Sequence, residues 1–467
     1  MSLHLRAGRA LVFAISLTTG ALAAEAQALA PPSPWRDHYT SGRIDALRRE
    51  IAAGHTDTEA FWKAVAVQGT PLIEAVADGD RHQLVTFLWR GSSDTTNVLV
   101  ELYPFTWERA GDYVMQRVGA TDVWFLTWRA PRGARFIYRL SPNDPLENPS
   151  FGVLRNSSFQ ADPLNPNRWL CAGTAPVSRC YSRVELPGAA PQPWIAFNPQ
   201  SPAGTVETFQ FTSRLLGNER TIAVYTPAGF DRRRTDYPLL VLFDGDAYRN
   251  VIPTPTILDN LIAARRLPPM LAVFVSNIAG RREGELLFNR AFVDAVASEL
   301  MPWVRARYQV SADPRKILIG GLSAGGAAAT YAALLYPDVF GNVIAQSGAF
   351  TYSPEQLLDL QQRTPASDAT DRHVQEEVED RGNVEGEWLA KQVIALPLRP
   401  VRFYLDAGLF ESSLSGAVGV LDATRHFRDV LLAKGYEVHY QMFVGGHDYL
   451  SWRGTVADGL IALAGAP

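Results

Sequence analysis

Residues 321–325 read Gly-Leu-Ser-Ala-Gly and directly follow the apolar run Ile317-Leu318-Ile319. A Gly-x-Ser-x-Gly motif between a strand and a helix is the sequence form of a nucleophile elbow, in which the chain turns sharply at the serine. The glycines remove the Cβ atoms that would collide in so tight a turn. The pattern therefore predicts that Ser323 stands exposed at a sheet edge and attacks an ester-like carbonyl.

The residues around this motif alternate between strand-like and helix-like patterns. Several of the strands are continuous apolar runs, as expected for strands buried on both faces of a parallel sheet. The alternation predicts an α/β-hydrolase domain at 201–467, with a mostly parallel eight-stranded sheet and helices on both faces. The predicted strands are Val206–Ser213, Arg220–Thr226, Pro238–Phe243, Leu271–Val275, Lys316–Ile319, Asn342–Ala345, Val401–Leu405 and Val438–Val444.

The first half of the chain has a different pattern. From residue 56 to residue 200, short aromatic and β-branched runs alternate with Gly, Pro and Asp turns, which predicts an all-β, sandwich-like N-terminal domain. Residues 27–55 are predicted to form a linker with one short helix. Cys171 and Cys180 are the two cysteines of the chain. In an exported protein such a close pair is most simply a disulfide that closes a small loop.

The N-terminus has the pattern of an export signal. Arg6 and Arg9 precede the apolar stretch 10–17, and small residues suited to cleavage follow it, so residues 1–26 are predicted to be a signal peptide. We therefore expect a periplasmic or secreted protein without membrane insertion after cleavage. The net charge of −4 argues against a general nucleic-acid binder. The polar insert 351–385 is expected to be either a lid or a disordered loop.

The order of the catalytic groups restricts the choice of base. In α/β-hydrolases the serine comes first, then the acid, then the histidine. The histidines that follow Ser323 are His373, His426, His439 and His447. Among them, His447 comes just after a predicted strand end and after Gly445-Gly446, where catalytic groups at a sheet edge are placed. His447 is therefore the predicted base.

The acid should follow the strand Val401–Leu405, and two carboxylates do so. Position favours Glu411 over Asp406, although either could hold the imidazole, and a Ser323–His447 dyad is a further alternative. The oxyanion hole is predicted to consist of the backbone N–H groups of Ala324 and Asp246. We find no metal motif and expect no cofactor, because an activated serine needs no ion.

These motifs, together with several others, resemble the enterochelin (enterobactin) esterase family. The matching segments are Thr86–Gly91, Asp162–Pro166, Ser213–Arg220, Tyr225–Pro227, Arg282–Asn289, Gly445–Asp448 and Ser451–Gly454. The resemblance implies hydrolysis of the trilactone of catecholate siderophores, and it implies Ser323, His447 and Glu411 as the catalytic residues. Members with both domains are expected in the cytoplasm, so the export signal is a departure from the family.

The substrate that the resemblance implies is a small siderophore, loaded with iron and negatively charged. Arg282, Arg90 and Arg453 are the candidate residues that would bind it, with ordinary pairing to nearby carboxylates as the alternative. A secreted feruloyl or other carbohydrate esterase with a glycan-binding N-terminal domain is the second functional hypothesis. A noncatalytic binding protein and an acyltransferase are further alternatives. The oligomeric state is left open by the sequence.

Overall fold

The computed structural model describes residues 41–76, 81–102, 110–146, 159–171, 180–354, 387–412 and 418–465. The predicted signal peptide at 1–26 and most of the insert at 351–385 lie outside these residues. Among the helices that the structure describes, none is long and apolar enough to cross a bilayer.

The N-terminal half forms two four-stranded antiparallel sheets, ordered β1-β2-β5-β4 and β3-β6-β8-β7. The helices of this half are α1 (Gly42–Ala52) and α2 (Glu59–Gln68) with a 3-10 turn at Ala110–Tyr113, and its strands are β1 (Leu72–Ala75), β2 (His82–Arg90), β3 (Val98–Leu102), β4 (Gln116–Arg117), β5 (Val123–Pro131), β6 (Arg135–Pro142), β7 (Arg168–Trp169) and β8 (Tyr181–Glu185).

Aromatic rings join the two sheets into a sandwich. Phe87 on β2 packs edge-on against Tyr138 on β6, with ring centroids 4.8 Å apart. Trp128 on β5 packs against Phe136 on β6 at 5.1 Å. Each buried aromatic side chain contributes about 2–3 kcal/mol through its apolar area. The predicted sandwich-like N-terminal domain is therefore confirmed.

One element of this half differs from the prediction. Helix α2 lies inside the range that the sequence pattern assigned to short strands. Its Trp62 and Val65, three residues apart, are buried together against the first sheet. The aromatic and β-branched residues of this segment are typical of strands, and only the packing of that one face decides for a helix. The predicted disulfide is confirmed: Cys171 and Cys180 are bonded, with their Cα atoms 4.7 Å apart.

The second half contains an eight-stranded sheet ordered β16-β15-β14-β13-β11-β12-β10-β9. Neighbouring strands from β16 to β12 are parallel, whereas β10 and β9 are antiparallel additions at one edge. All eight predicted strands are confirmed, with ends shifted by a few residues. The strands are β9 (Thr205–Ser213), β10 (Asn218–Thr226), β11 (Leu239–Leu242), β12 (Leu271–Val275), β13 (Ile317–Leu322), β14 (Asn342–Gln346), β15 (Arg402–Gly408) and β16 (Glu437–Phe443).

Helices cover both faces of this sheet. Along β11, Leu239 and Val241 belong to one hydrophobic cluster, and Leu240 and Leu242 belong to the cluster on the opposite face. This alternation explains why the strand reads as a continuous apolar run. The helices are α3 (Gly245–Asn250), α4 (Thr254–Ala263), α5 (Arg282–Leu286), α6 (Arg290–Ala295), α7 (Met301–Tyr308), α8 (Ala324–Leu335), α9 (Trp388–Ala395), α10 (Val420–Lys434) and α11 (Tyr449–Ala464), with a π turn at Val296–Leu300 and 3-10 turns at Pro314–Lys316 and Leu409–Glu411.

Candidate active site

Ser323 occupies the turn between strand β13 and helix α8. Its backbone has φ 54° and ψ −122°, a conformation that is unusual for a residue other than glycine. Such a conformation costs about 1–3 kcal/mol and persists only where the surroundings hold it. Two hydrogen bonds do so here: the Ser323 N–H donates to the carbonyl of Gln346 at 2.8 Å, and the Ser323 carbonyl accepts from the Ala349 N–H at 3.0 Å.

The two glycines of the motif are required by close contacts. A Cβ atom on Gly321 would lie 2.4 Å from the carbonyl carbon of Gly325. A Cβ atom on Gly325 would lie 2.6 Å from Oδ2 of Asp244. The segment after β13 therefore has the strand–turn–helix form of a nucleophile elbow. Ser323 as a whole residue is only 8% exposed, and the exposure of its hydroxyl group stays a prediction.

Glu411 and His447 are brought together by the structure. Oε1 of Glu411 lies 2.7 Å from Nδ1 of His447. Oε2 of Glu411 accepts a hydrogen bond from the Gly408 N–H at 2.6 Å, and the Glu411 side chain is 1% exposed. A carboxylate in this position selects the tautomer with a proton on Nδ1, so that Nε2 is the nitrogen that can take a proton. The pair has the chemistry of an oriented general base.

Asp406, the other candidate for the acid, forms a hydrogen bond with the backbone of Ser347. Its Oδ1 accepts a hydrogen bond from the Ser347 N–H at 2.9 Å, and the residue is fully buried. Burial raises the pKa of Asp406 to about 8, against the opposing hydrogen bond of Thr455, and the Glu411 charge raises it further. A carboxyl group that is largely neutral at pH 7 offers little charge to an imidazolium. The geometry therefore favours Glu411 as the acid.

The two predicted oxyanion donors lie at the starts of helices. Ala324 is the first residue of α8, and Asp246 is the second residue of α3. The first N–H groups of a helix have no acceptor within that helix and can serve a bound oxyanion. Asp244, which precedes α3 with φ 54°, is held by Asn277 Nδ2 at 2.6 Å and by Arg282 Nε at 2.6 Å and Nη2 at 2.9 Å. These contacts fix the loop that carries the Asp246 amide.

Arg282 thus lies beside the nucleophile elbow, but its guanidinium is engaged by protein carboxylates. It pairs with Asp244 and also with Glu283, whose Oε1 lies 2.9 Å from Nη1. Its Nη2 is 3.4 Å from the carbonyl oxygen of Leu322, next to the serine. Burial opposes the charge of Arg282, yet the two carboxylates raise its pKa above the usual value. The contacts indicate that Arg282 positions the loop of Asp244.

The other two arginines proposed for substrate binding are also paired. Arg90 contacts Glu59 and lies 2.7 Å from Asp122, all within the N-terminal half. Arg453 on α11 lies 3.0 Å from Glu185 on β8, and burial lowers the pKa of Arg453 to about 10. The described contacts therefore fit the alternative interpretation, in which these arginines pair with carboxylates. The substrate-binding role of all three stays a prediction.

Sequence reasoning gave no role to a hydrogen-bonded network beneath the histidine. The rings of Trp452 and His447 meet edge to face at 4.8 Å, and Trp452 Nε1 donates to Ser347 Oγ at 2.9 Å. Gln346 Nε2 donates to the Trp452 carbonyl at 2.9 Å, and Tyr248 OH donates to Gln346 Oε1 at 2.6 Å. The motif Trp452-Arg453-Gly454 could have indicated that a tryptophan lies near the histidine, but the sequence does not show which atoms its indole contacts.

The fold and the Glu411–His447 pair define the class of protein. Residues 213–463 match the Esterase family model, and the chain is a carboxylic-ester hydrolase with an α/β-hydrolase domain. Residues 84–195 match the model described as enterochelin esterase, N-terminal. With both domains matched, the chain belongs to the enterochelin esterase family.

Relatives with both domains support this assignment. An iron(III) enterobactin esterase of Dickeya dadantii (strain 3937) is 29% identical, over 90% of this chain and 95% of that protein. An iron(III) enterobactin esterase of Escherichia coli O6:H1 is 30% identical, over 75% of this chain and 81% of that protein. The crystal structure of the enterobactin esterase from Shigella flexneri in the presence of enterobactin has 26% identity and a TM-score of 0.64, covering 87% of this chain and 97% of that one.

Proposed function

We propose that this protein hydrolyses the trilactone ester bonds of catecholate siderophores of the enterobactin type, in their iron-loaded form, and so helps to release iron. The observation that carries the proposal is that residues 84–195 match the enterochelin esterase N-terminal model, in addition to the match of the hydrolase half to the esterase model. A feruloyl esterase with an unrelated glycan-binding domain would share only the hydrolase half. The second functional hypothesis has weaker support, because the match to a xylanase/feruloyl esterase of Xylanibacter ruminicola covers only 39% of this chain.

The contact between Glu411 and His447 supports the following mechanism. Ser323 Oγ attacks the lactone carbonyl while His447 Nε2 takes its proton, and the buried Glu411 carboxylate stabilises the imidazolium that forms. The N–H groups of Ala324 and Asp246 hold the oxyanion. The imidazolium then protonates the alkoxide oxygen as the carbon–oxygen bond of the lactone breaks, and an acyl group remains on the serine. Water, deprotonated by His447, releases the acid and restores the enzyme.

The test is mass analysis of the products that the full-length protein and its Ser323→Ala variant form from ferric enterobactin, iron-free enterobactin and methyl ferulate. We expect linear dihydroxybenzoyl-serine products from the ferric substrate. The variant should lose activity by several orders of magnitude. Faster turnover of methyl ferulate, binding without cleavage, or transfer to an added alcohol in preference to water would each refute the proposal.

We infer in addition that the protein works in the periplasm. The export pattern at 1–26 supports this, and the disulfide between Cys171 and Cys180 fits an oxidising compartment. The test is fractionation of expressing cells followed by sequencing of the N-terminus of the protein in each fraction. We expect a periplasmic protein that starts at residue 24 or at residue 27. An uncleaved cytoplasmic protein would contradict the inference.

A further inference from the structure

The N-terminal domain touches the hydrolase domain at the loop that carries the catalytic histidine. The Arg135 N–H, at the start of β6, donates to the carbonyl of Val444 at 2.9 Å. Arg135 and Gly445 form a parallel β-bridge. His447 is two residues further along the chain. A strand of one domain is therefore hydrogen-bonded to the segment that holds the base of the other.

The loop that carries Glu411 packs against the same segment of the hydrolase domain, at Gly445. The Phe410 N–H donates to the carbonyl of Gly445 at 3.0 Å. A Cβ atom on Gly445 would lie 2.9 Å from the Arg135 carbonyl oxygen, and a Cβ atom on Gly408 would lie 2.4 Å from the Gly445 carbonyl oxygen. Three backbone segments thus meet with no space for side chains. The Gly408 N–H also donates to Glu411, so this close packing reaches the acid directly.

An aromatic contact supports the acid loop from the N-terminal side. The ring of Trp128 on β5 packs edge-on against the ring of Phe410, with centroids 5.4 Å apart. Phe410 is fully buried and immediately precedes Glu411. Trp128 is 4% exposed and also packs against Phe136, with ring centroids 5.1 Å apart. A shift of this indole would therefore be transmitted to the backbone next to the acid.

A third contact holds the helix that follows the histidine. Gln192 Nε2 donates to the Leu450 carbonyl at 2.9 Å, in the first turn of α11. Gln192 Oε1 accepts from Arg453 Nε at 2.7 Å, and Arg453 Nη2 contacts Glu185 on β8 at 3.0 Å. The segments before and after His447 are therefore both hydrogen-bonded to the N-terminal half, through Arg135 and Gln192 respectively.

We propose that the N-terminal domain is a positioning part of the catalytic centre, with Trp128 and Gln192 as positioning residues that hold Glu411 and His447 in register with Ser323. The physical reason is that both groups lie on loops, whose geometry depends on what packs against them. A displacement of about 1 Å in a catalytic group can reduce the rate about a hundredfold. The inference rests on ester hydrolysis by Ser323 but not on which ester is the natural substrate.

The experiment compares Trp128→Leu with the matched control Phe87→Leu in the full-length protein. Phe87 is equally deep in the sandwich, and its ring packs on Phe136 and Tyr138 of the same domain. Both variants are assayed with p-nitrophenyl butyrate, a short ester without catechol groups, and with ferric enterobactin. Trp128→Leu should reduce kcat about tenfold for both esters, with KM for the short ester unchanged. Phe87→Leu should keep kcat near the wild-type value at a similarly lowered Tm.

Two further measurements separate positioning from folding. The proton on His447 Nδ1 should give a strongly downfield NMR signal in the wild type and in Phe87→Leu, and a broadened or lost signal in Trp128→Leu. Trp128→Phe, which keeps an aromatic edge against Phe410, should recover most of the lost kcat. Gln192→Ala removes a half-buried side chain and leaves the sandwich core intact, so it tests the proposal even if Trp128→Leu does not fold. It should reduce kcat about threefold for both esters.

The outcomes are distinguishable. If the variants only raise KM for ferric enterobactin and leave turnover of the short ester unchanged, the N-terminal domain serves substrate binding and the positioning proposal is overturned. If Phe87→Leu loses as much kcat as Trp128→Leu, the effect is one of general stability and the proposal also fails. If the wild type cleaves the short ester but not ferric enterobactin, the proposed siderophore activity fails while the comparison of variants still decides the positioning role.

Discussion

Replacing Glu411 by glutamine removes one negative charge from the site and keeps the size of the side chain. The carboxylate is 1% exposed and lies 2.7 Å from His447 Nδ1. Two unit charges centred about 4 Å apart attract by about 4 kcal/mol at an effective dielectric constant of about 20. This attraction arises only when the imidazole becomes charged in the transition state. Since each 1.4 kcal/mol corresponds to about a tenfold rate change, Glu411→Gln should reduce kcat about a thousandfold with little change in KM.

The assay is steady-state kinetics at pH 7 with p-nitrophenyl butyrate and with ferric enterobactin, and circular dichroism verifies that each variant is folded. Asp406→Asn is the matched control, because its amide oxygen can still accept from the Ser347 N–H. Its carboxyl group is already largely neutral at this pH, since burial raises its pKa to about 8. We expect kcat of the control within about threefold of the wild type. The assignment of the acid is refuted if Glu411→Gln keeps more than about a tenth of kcat, or if Asp406→Asn loses as much.

Three further predictions concern Asp406, Arg282 and the disulfide. Burial raises the pKa of Asp406 to about 8 in the folded protein, whereas its pKa in the unfolded chain is about 4. The folded state therefore binds more protons between these two pH values, and the free energy of unfolding falls as the pH rises from about 4 to about 8. Urea unfolding of Asp406→Asn should show a weaker fall between about pH 4 and pH 8, and equal slopes in both proteins would contradict this. Arg282→Lys keeps the charge but loses the two-pronged contact with Asp244, so kcat should fall about tenfold with KM nearly constant. A rise in KM alone would instead support a role in substrate binding. Replacing Cys171 and Cys180 by serine should lower the free energy of unfolding by about 2.5 kcal/mol without changing kcat, and unchanged urea midpoints would rule out this stabilisation.

The strands of the hydrolase half and the turn at Ser323 could be predicted from the sequence, because each depends on neighbouring residues. Strands buried on both faces are apolar at every position, so Leu239–Leu242 and Leu271–Val275 could be recognised from composition alone. The turn at Ser323 needs glycines at fixed positions on either side, so its motif is visible without any knowledge of distant residues. Chain order then selected His447. The secondary structure of the N-terminal half was predicted less accurately, because the residues of helix α2 are equally typical of strands.

The sequence ranked the possible partners of the buried polar side chains but did not show their contacts. Glu411 and Asp406 follow the same strand and carry the same chemical group, and only the packed structure shows that the first reaches His447 while the second reaches the Ser347 amide. The sequence likewise does not show whether an arginine binds a ligand or pairs with a buried carboxylate, as Arg282 does with Asp244.

The sequence by itself determined the strand pattern, and it predicted Ser323 as the nucleophile and His447 as its base, because each of these patterns lies among residues that are neighbours along the chain. The sequence ranked Glu411 above Asp406, and only the tertiary structure showed the contact of Glu411 with His447. The tertiary structure alone decided which carboxylates pair with the arginines, and that Arg135 of the N-terminal domain is bonded to the loop before the histidine. Those contacts join residues that are far apart in sequence and depend on distances and burial, which side-chain chemistry does not encode locally.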